Sequence, residues 1–310
     1  MSTARAVRVR VPATSANLGP GFDTLGIALA YGDDLTAKTR EESGATVTVS
    51  GVGAGEVPTD ASNLVVRAVA HVFDRLGREM PGLEISADNR IPHGRGMGSS
   101  GSAIVSGVMI AAGLLESDPE APLKLSEEQL LAFATDLEGH PDNVAPALFG
   151  GLTIAWTTPA GPKFKRLMVH RGVAPLVLVP SFTMSTALAR SLQPSQVPHE
   201  DAVFNVSRSA LLIAALTQSP ELLLEATEDR LHQNYRGEAM PATRDLISDL
   251  RAAGHAAVVS GAGPSILVLS NGPAERLAAA DLVEARGDDW RALILAVDTK
   301  GATVESIPAH

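Results

Sequence analysis

Residues 91–103 combine residue types that bind phosphate with a pattern that places them at the start of a helix. They read Ile-Pro-His-Gly-Arg-Gly-Met-Gly-Ser-Ser-Gly-Ser-Ala, with glycine at 94, 96 and 98. Glycine lets a backbone approach a ligand closely and adopt positive φ. The apolar run that follows, through Leu115, has the pattern and length of a helix. A glycine loop before a helix offers free N–H groups to an anion, and serine hydroxyls suit an anion or Mg²⁺.

Three interpretations of this loop are open on the residues alone: a tight packing turn, a dinucleotide loop and a nucleoside triphosphate loop. Residues 96–101 have the dinucleotide spacing G-x-G-x-x-G. That motif requires a strand directly before it and an acidic residue at the end of the next strand. Here residues 92–95 intervene, and the acidic residues that follow lie in a proline-containing loop. A Walker A loop is excluded, because the chain contains no Gly-Lys pair.

Two other stretches concentrate polar side chains. Residues 12–23 place Asn17 and Asp23 among glycines and prolines, either as a rigid turn or as a grip on a small polar ligand. Residues 138–143, Glu-Gly-His-Pro-Asp-Asn, end a predicted helix as a surface turn or as a ligand site. One carboxylate, with phosphate oxygens and water, commonly holds Mg²⁺ at a nucleotide. A serine-hydrolase site is excluded, because the residues around Ser100 lack the order G-x-S-x-G.

The second half of the chain supplies arginines that suit a carboxylate. Thr186 and Arg190 lie about one helical turn apart on a predicted helix, and Arg236 follows Asn-Tyr. A guanidinium can bind a carboxylate through two parallel N–H donors. A solvated surface charge is the alternative for each arginine.

Composition excludes several classes of function. The chain has 310 residues, is 45% hydrophobic and carries a net charge of −10. It can bury one or two cores, since domains commonly have about 100–200 residues. The absence of cysteine excludes disulfides and thiolate chemistry, and no basic patch indicates a nucleic-acid partner. No run reaches the ~18 apolar residues of a membrane span, and Met1–Arg5 lacks a signal-peptide core, so we expect a cytoplasmic protein.

Elements that position these stretches follow from the hydrophobic periodicity. Residues 6–11 alternate as a strand, Ser62 is a predicted N-cap, and residues 12–23 are a predicted loop. Thr157–Pro162 is the predicted domain boundary, which gives domains at 1–158 and 159–310. The order of elements in the second half predicts an α+β sandwich with helices on one face.

Three stretches, in this order, resemble the three signatures of the GHMP kinase superfamily: residues 12–23, 92–103 and 259–265. Together with residues 138–147, these stretches are similar in sequence to those of the homoserine kinase family, which belongs to this superfamily. The resemblance implies an α+β GHMP kinase fold, with an N-terminal domain like ribosomal protein S5 domain 2 and a ferredoxin-like C-terminal α/β sandwich. It also implies ATP with Mg²⁺, L-homoserine as the phosphate acceptor in threonine biosynthesis, and a homodimer as the family's habit.

Carried over position by position, the resemblance also assigns ligand-binding residues. The expected ATP-binding residues are Asn63 on the adenine side, Thr186 near the γ-phosphate, and the loop residues Pro92, His93, Gly94, Arg95, Gly96, Met97, Gly98, Ser99, Ser100, Gly101 and Ser102. The expected Mg²⁺ ligands are Ser100 and Glu138. The expected homoserine-binding residues are Asn17, Asp23, His140, Asp142, Asn143, Arg190 and Arg236. The catalytic candidates are Asp23, Asp142 and Arg190, of which the carboxylates are candidate general bases.

The types of these residues suit a zwitterion, because carboxylates attract its ammonium and guanidinium groups attract its carboxylate. Two other functions stay open: another small-molecule kinase of the same fold, and a ligand sensor of that fold without turnover. An NAD-dependent oxidoreductase is a more distant third.

Overall fold

The computed structural model of the chain describes residues 4–287 and 289–308. The first three residues of the stretch inspected for a signal peptide therefore lie outside the described part. The strands are β1 (Ala6–Ala16), β2 (Leu25–Arg40), β3 (Ala45–Gly51), β4 (Gly82–Asn89), β5 (Leu152–Thr158), β6 (Gly161–Leu167), β7 (Val173–Pro180), β8 (Ala256–Val259), β9 (Ile266–Asn271), β10 (Trp290–Ile294) and β11 (Thr303–Ile307). The helices are α1 (Leu64–Arg75), α2 (Ser99–Glu116), α3 (Glu127–Glu138), α4 (Pro141–Phe149), α5 (Thr186–Ser191), α6 (His199–Thr217), α7 (Leu223–Ala226), α8 (Gln233–Gly237), α9 (Pro241–Ala252) and α10 (Pro273–Arg286), with a 3₁₀ turn at Pro220–Leu222.

The first sheet has seven described strands in the order β11-β1-β2-β4-β3, with β5 on β2 and β6 on β5. The strand β2 is long enough to pair with β5 near its start and with β4 near its end. One face of this sheet is covered by α1–α4, whose apolar residues form one core with Val7, Val9 and Val11 of β1. Alternation in β1 turns these valines to the helices and Arg8 and Arg10 outward.

The central helix of this layer is α2. Of the described helices, α2 alone is long and apolar enough to cross a membrane, but 72% of it is buried inside the fold. Serine and glycine interrupt its apolar positions, which is why the sequence shows no continuous run of that length. It is a core helix that carries the glycine loop at its N-terminus.

The boundary predicted between residues 158 and 159 falls in the turn that joins β5 to β6. Because β6 pairs with β5 from Leu152 to Thr158, the chain leaves the first sheet only after Leu167. It also returns at its end, since β11 pairs with β1. The first sheet therefore takes strands from both ends of the chain, and the division into domains at residues 158 and 159 stays a prediction.

The second sheet has the order β10-β7-β9-β8 with antiparallel neighbours. This order, with helices between β7 and β8 and between β9 and β10, is the ferredoxin-like arrangement, so the α+β prediction is confirmed. The prediction of helices on one face was wrong. Helices α9 and α10 cover one face through Leu250 and Val283, whereas α6 and α7 cover the other. That second face shares its core with Ile27 of β2, so the two sheets are packed together.

Three local predictions near the site need correction. The N-cap of α1 is Asn63, whose side chain accepts from the Val65 N–H, whereas the Ser62 hydroxyl donates to Asp60. The strand β1 continues to Ala16, into the stretch predicted as a loop. Residues 141–143, for which a surface turn was one interpretation, are instead the first residues of helix α4. This helix begins at Pro141 because proline is favoured in the first turn of a helix.

Candidate active site

The glycine loop before α2 has a backbone that only glycine adopts readily. Gly94, Gly96 and Gly98 have φ of 64°, 71° and 71°. A Cβ on Gly96 would lie 2.1 Å from the Ser260 carbonyl oxygen, and one on Gly98 would lie 2.0 Å from Thr14 Oγ1. Gly98 is the N-cap of α2 and supplies no side-chain cap. The N–H groups of the first turn are therefore available to an anion, at the positive end of the helix dipole.

Hydrogen bonds join the three glycine-containing stretches although they lie far apart in sequence. The Ser260 hydroxyl donates to the Gly96 carbonyl at 2.7 Å and contacts Ser15 Oγ at 2.9 Å. Asn17 Nδ2 donates to the Gly261 carbonyl at 2.8 Å, and the Gly261 N–H donates to Ala16 at 3.1 Å. The loop, the end of β1 and the turn before β9 therefore form one frame.

A cleft with about 870 Å³ free of protein atoms opens over this frame. It brings together all the predicted substrate and metal residues with much of the glycine loop. Its lining is Asn17, Asp23, Gly94, Gly96, Gly98, Ser99, Ser100, Glu138, His140, Asp142, Asn143, Met184, Ser185, Thr186, Arg190, Arg236, Gly261, Ala262 and Gly263.

An adjoining pocket shares Ser99 and Ser100 with the cleft. Its lining is mainly apolar and includes Leu35, Val47, Val49, Val57, Pro58, Leu64, Val65 and Ala87, with Asp33, Asn63, Asn89, His93 and Ser106 as polar members. Asn63 is fixed there, because its Nδ2 donates to the Pro58 carbonyl at 2.7 Å while its Oδ1 caps α1. An apolar pocket beside a phosphate loop has the character of a nucleobase site.

A hydroxyl–carboxylate pair stands at the start of α2. The Ser100 hydroxyl donates to Glu138 Oε2 at 3.0 Å, and α3 brings Glu138 there as its last residue. Burial raises the pKa of Glu138, and the Ser100 hydrogen bond and nearby His140 oppose this rise. No group of three or more His, Asp or Glu side chains in the described ranges forms a cage for a metal. One hydroxyl and one carboxylate fit Mg²⁺ only if phosphate oxygens and water complete its coordination.

A histidine–carboxylate pair lies next to it. His140 Nδ1 is hydrogen-bonded to Asp142 Oδ1, in the first turn of α4. This hydrogen bond raises the pKa of His140, although burial opposes it. Asp142 is only 1% exposed. Asp142, which is predicted to bind homoserine, therefore already has one carboxylate oxygen hydrogen-bonded to histidine.

The two predicted arginines have different environments. Arg190 Nη2 lies 3.5 Å from Asp23 Oδ1, and both side chains are partly exposed. Arg236 is buried and donates from Nη1 to the Gly261 carbonyl at 3.1 Å. No acidic side chain among residues 4–287 and 289–308 forms an ion pair with Arg236. Burial lowers the pKa of this guanidinium, with Asp23 opposing the effect.

Some predicted nucleotide-binding residues direct their side chains away from the cleft. Met97 and Ser102 are fully buried, and the Ser102 N–H donates to the Gly98 carbonyl. Pro92 and Gly101 do not line either cavity. The Arg95 guanidinium donates to carbonyls of His93, Pro180 and Ser181, so it joins the loop to the end of β7.

The structure adds lining residues that sequence reasoning left without a role. Gly261, Ala262 and Gly263 belong to a stretch whose resemblance was noted, so a signal for them existed. Asn17 and Asn143 line the cleft but are also engaged in the frame, since Asn17 Oδ1 accepts from the Asp23 N–H and Asn143 Oδ1 accepts from Thr14. Met184 and Ser185 precede α5 and carried no local signal.

Comparison with known proteins places this geometry in a family. The family model described as the GHMP kinases N terminal domain matches residues 63–151, and that described as GHMP kinases C terminal matches residues 211–288. A homoserine kinase of Clavibacter michiganensis is 67% identical over 99% of this chain and 96% of its own length. One of Leifsonia xyli is 68% identical over 98% of this chain and 93% of its own length. The crystal structure of homoserine kinase from Cytophaga hutchinsonii has a TM-score of 0.84 and 27% identity and covers 97% of each chain.

Proposed function

Because the chain belongs to the GHMP kinase family, we propose that it transfers the γ-phosphoryl group of ATP to the side-chain hydroxyl of L-homoserine. The expected GHMP kinase fold is confirmed by the two domain matches and the structural neighbour. Relatives named homoserine kinase are 67–68% identical over nearly the whole chain. The observation that supports L-homoserine as the substrate is the buried guanidinium of Arg236. It lies in the cleft without an acidic partner among the described residues. Such a group suits the carboxylate of an amino acid.

ATP would lie across the two cavities. Its adenine suits the apolar pocket beside Asn63, and its phosphates suit the N–H groups at the start of α2. Among the loop residues, Gly94, Gly96, Gly98 and Ser99 bind through backbone or hydroxyl groups that reach the cleft. Arg95, Met97 and Ser102 support the loop from outside the cleft.

Ser100 and Glu138 would hold Mg²⁺ at the nucleotide phosphates, where the ion neutralises phosphate charge. The oxygen-only donor pair fits this hard cation. Glu138 must be ionised to contribute, and its burial, which raises its pKa, disfavours that charge.

L-Homoserine would lie between the acidic and basic sides of the cleft. Its carboxylate faces Arg236, and its ammonium faces Asp23 and Asp142, with His140 and Asn143 beside them. Thr186 and Arg190 stand on α5, where Arg190 is close enough to contribute positive charge near the phosphates or the substrate. Positioning supplies most of the catalysis in this proposal, because a loose phosphoryl-transfer transition state needs little covalent assistance.

Both candidate general bases are already engaged. Asp142 is hydrogen-bonded to His140, and Asp23 faces Arg190, so each carboxylate already has a polar partner. The proposal therefore assigns them to holding the substrate ammonium, and lets the hydroxyl proton leave late. Replacing Asp23 with Asn tests this: loss of homoserine affinity with near-normal kcat supports binding, whereas loss of kcat alone supports a base.

We further propose a cytoplasmic homodimer in threonine biosynthesis. The family's habit supports a dimer, as do the apolar side chains of Val203 and Val206, which are 57% and 72% exposed on the outward face of α6. Sedimentation of the wild-type chain and of a Val206→Glu variant tests it: a monomeric wild type contradicts the dimer.

ADP release in the presence of ATP and Mg²⁺ tests the activity, with L-homoserine, mevalonate, galactose or no acceptor. We expect turnover only with L-homoserine. Turnover with another acceptor would support kinase activity but contradict the assignment of the cleft residues to an amino-acid substrate. ATP binding without turnover on any acceptor would favour the ligand sensor. Arg236→Ala and surface Arg244→Ala form a matched pair, of which only Arg236→Ala should raise the KM for homoserine.

A further inference from the structure

Three buried polar side chains outside the cleft form a cluster in the second domain. The side chains of Asp229 and His232 are fully buried, and Asn205 is 2% exposed. Asn205 Nδ2 donates to Asp229 Oδ1 at 2.9 Å, and the Arg230 N–H donates to Asn205 Oδ1 at 2.8 Å. Burying polar groups costs free energy unless they are hydrogen-bonded, so the hydrogen bonds of this cluster constrain the backbone segments that it contacts.

On one side, the cluster holds the loop that carries Asp23. His232 Nε2 donates to the Gly19 carbonyl at 2.7 Å, which fixes the proton on Nε2. The His232 ring also stacks on Phe22, with centroids 4.9 Å apart and planes 16° apart. Ser209 Oγ donates to the Pro20 carbonyl at 2.6 Å, and Asn205 Nδ2 approaches it at 3.5 Å.

This loop needs such support because its backbone is strained. Asn17, Leu18 and Asp23 have φ of 72°, 51° and 51°. Residues other than glycine rarely adopt this region, and they keep it only where their surroundings impose it. The direction of the Asp23 side chain therefore depends on the contacts that hold residues 19–22.

On the other side, the cluster sets the start of α8, which carries Arg236. Asp229 Oδ2 accepts from the backbone N–H groups of His232 at 3.1 Å and Gln233 at 2.8 Å. Its Oδ1 accepts from the Leu231 N–H at 3.0 Å. The Arg236 guanidinium lies over the Phe22 ring, 5.2 Å from its centroid, so the same ring contacts both His232 and Arg236.

We propose that Asn205, Asp229 and His232 are positioning residues that fix the separation of Asp23 from Arg236. The cluster thereby makes the site selective for acceptors that carry an ammonium and a carboxylate on one carbon. This inference rests on the proposed function. None of the three residues lines the cleft, and they act through the loop and through α8.

The test compares acceptor discrimination in variants of His232. His232→Phe keeps an aromatic ring against Phe22 but removes the donor to Gly19, whereas His232→Gln keeps a donor. His255→Phe is the matched control, because His255 is also a buried histidine and lies outside the cleft. For each protein, kcat/KM is measured with L-homoserine, 4-hydroxybutyrate, which lacks the ammonium, and 3-aminopropan-1-ol, which lacks the carboxylate. Where a truncated acceptor is not phosphorylated, its competitive inhibition constant replaces kcat/KM.

We expect His232→Phe to reduce the preference for L-homoserine over both truncated acceptors at least tenfold, with the KM for ATP unchanged. His232→Gln should restore part of this preference, and His255→Phe should keep it. Ser209→Ala, a milder change at the edge of the cluster, should shift the preference in the same direction and covers the case in which His232→Phe does not fold. Wild-type discrimination in the folded variants would overturn the inference. A wild-type enzyme inactive on L-homoserine would instead contradict the proposed function.

Discussion

Arg190 Nη2 lies 3.5 Å from Asp23 Oδ1 across the cleft, so two side chains expected to bind opposite ends of one zwitterion face each other. Their side chains are 43% and 41% exposed. Ion pairs this exposed contribute about 0–1 kcal/mol to stability. A zwitterionic substrate can therefore replace this contact at little cost, and the pair prevents an uncompensated charge while the cleft is open.

Arg190→Ala should raise the KM for homoserine about tenfold or more, because a charged hydrogen-bond partner contributes about 1.5–3 kcal/mol. Its melting temperature should stay close to that of the wild type, since the pair is exposed. Steady-state kinetics at saturating ATP and a thermal melt measure both. Arg244→Ala is the control, because Arg244 is exposed and pairs with surface Asp245. An unchanged KM in Arg190→Ala would remove Arg190 from the substrate site.

Gly96→Ala should weaken ATP binding as well as stability. Its Cβ would lie 2.1 Å from the Ser260 carbonyl, in backbone that joins two parts of the frame. Gly77 at the end of α1 has φ of 64°, and a Cβ added there would have nothing within 4 Å, so Gly77→Ala carries backbone strain alone. We expect a loss of about 1 kcal/mol for Gly77→Ala with an unchanged KM for ATP. Equal effects of the two variants on KM would mean that loop geometry does not bind the nucleotide.

Glu138→Gln should raise the Mg²⁺ concentration needed for half-maximal activity at least tenfold, because the amide keeps the size of the side chain but loses its charge. Binding of homoserine should change little by comparison. Glu127→Gln, at the exposed start of the same helix, is the control. Titration of activity with Mg²⁺ at fixed ATP measures the effect. Parallel losses of homoserine affinity and Mg²⁺ response would indicate a structural role for Glu138.

The pH dependence of stability should carry a contribution from His232. Burial lowers its pKa below 6.5, although Asp229 opposes this, so the folded protein holds it neutral. Between the folded pKa and 6.5, the unfolded chain binds more protons, and the free energy of unfolding therefore falls as the pH drops below about 6.5. Denaturant unfolding from pH 7.5 to pH 5 should show a smaller fall for His232→Gln than for the wild type. An equal fall in both proteins would contradict this assignment.

The sequence predicted the members of the cleft better than the architecture around them. Residues such as Asn17, Glu138 and Arg236 stand in local stretches whose residue types indicate ligand chemistry, and the structure brings them to one cleft. The pairing of β11 with β1 had no local signal, because the two strands lie at opposite ends of the chain. The turn before β6, by contrast, was interpreted as a domain boundary although it closes a local hairpin with β5. Side-chain direction was equally inaccessible: Arg95 belongs to the glycine loop, but carbonyls of residues 180 and 181 decide where its guanidinium points.

The prediction of the α1 N-cap was wrong because serine at 62 and asparagine at 63 both suit an N-cap, and only the backbone conformation decides between them. Asn63 caps α1 and lines the apolar pocket, so Asn63→Ala should lower stability and nucleotide affinity together. The loss of a cap costs about 1 kcal/mol of unfolding free energy. Ser126→Ala is the matched control, because Ser126 caps α3 through the Gln129 N–H and lines neither cavity. We expect both variants to unfold at lower denaturant concentration and only Asn63→Ala to raise the KM for ATP. If Ser126→Ala raises this KM equally, the effect of Asn63 comes from helix stability and not from contact with the nucleobase.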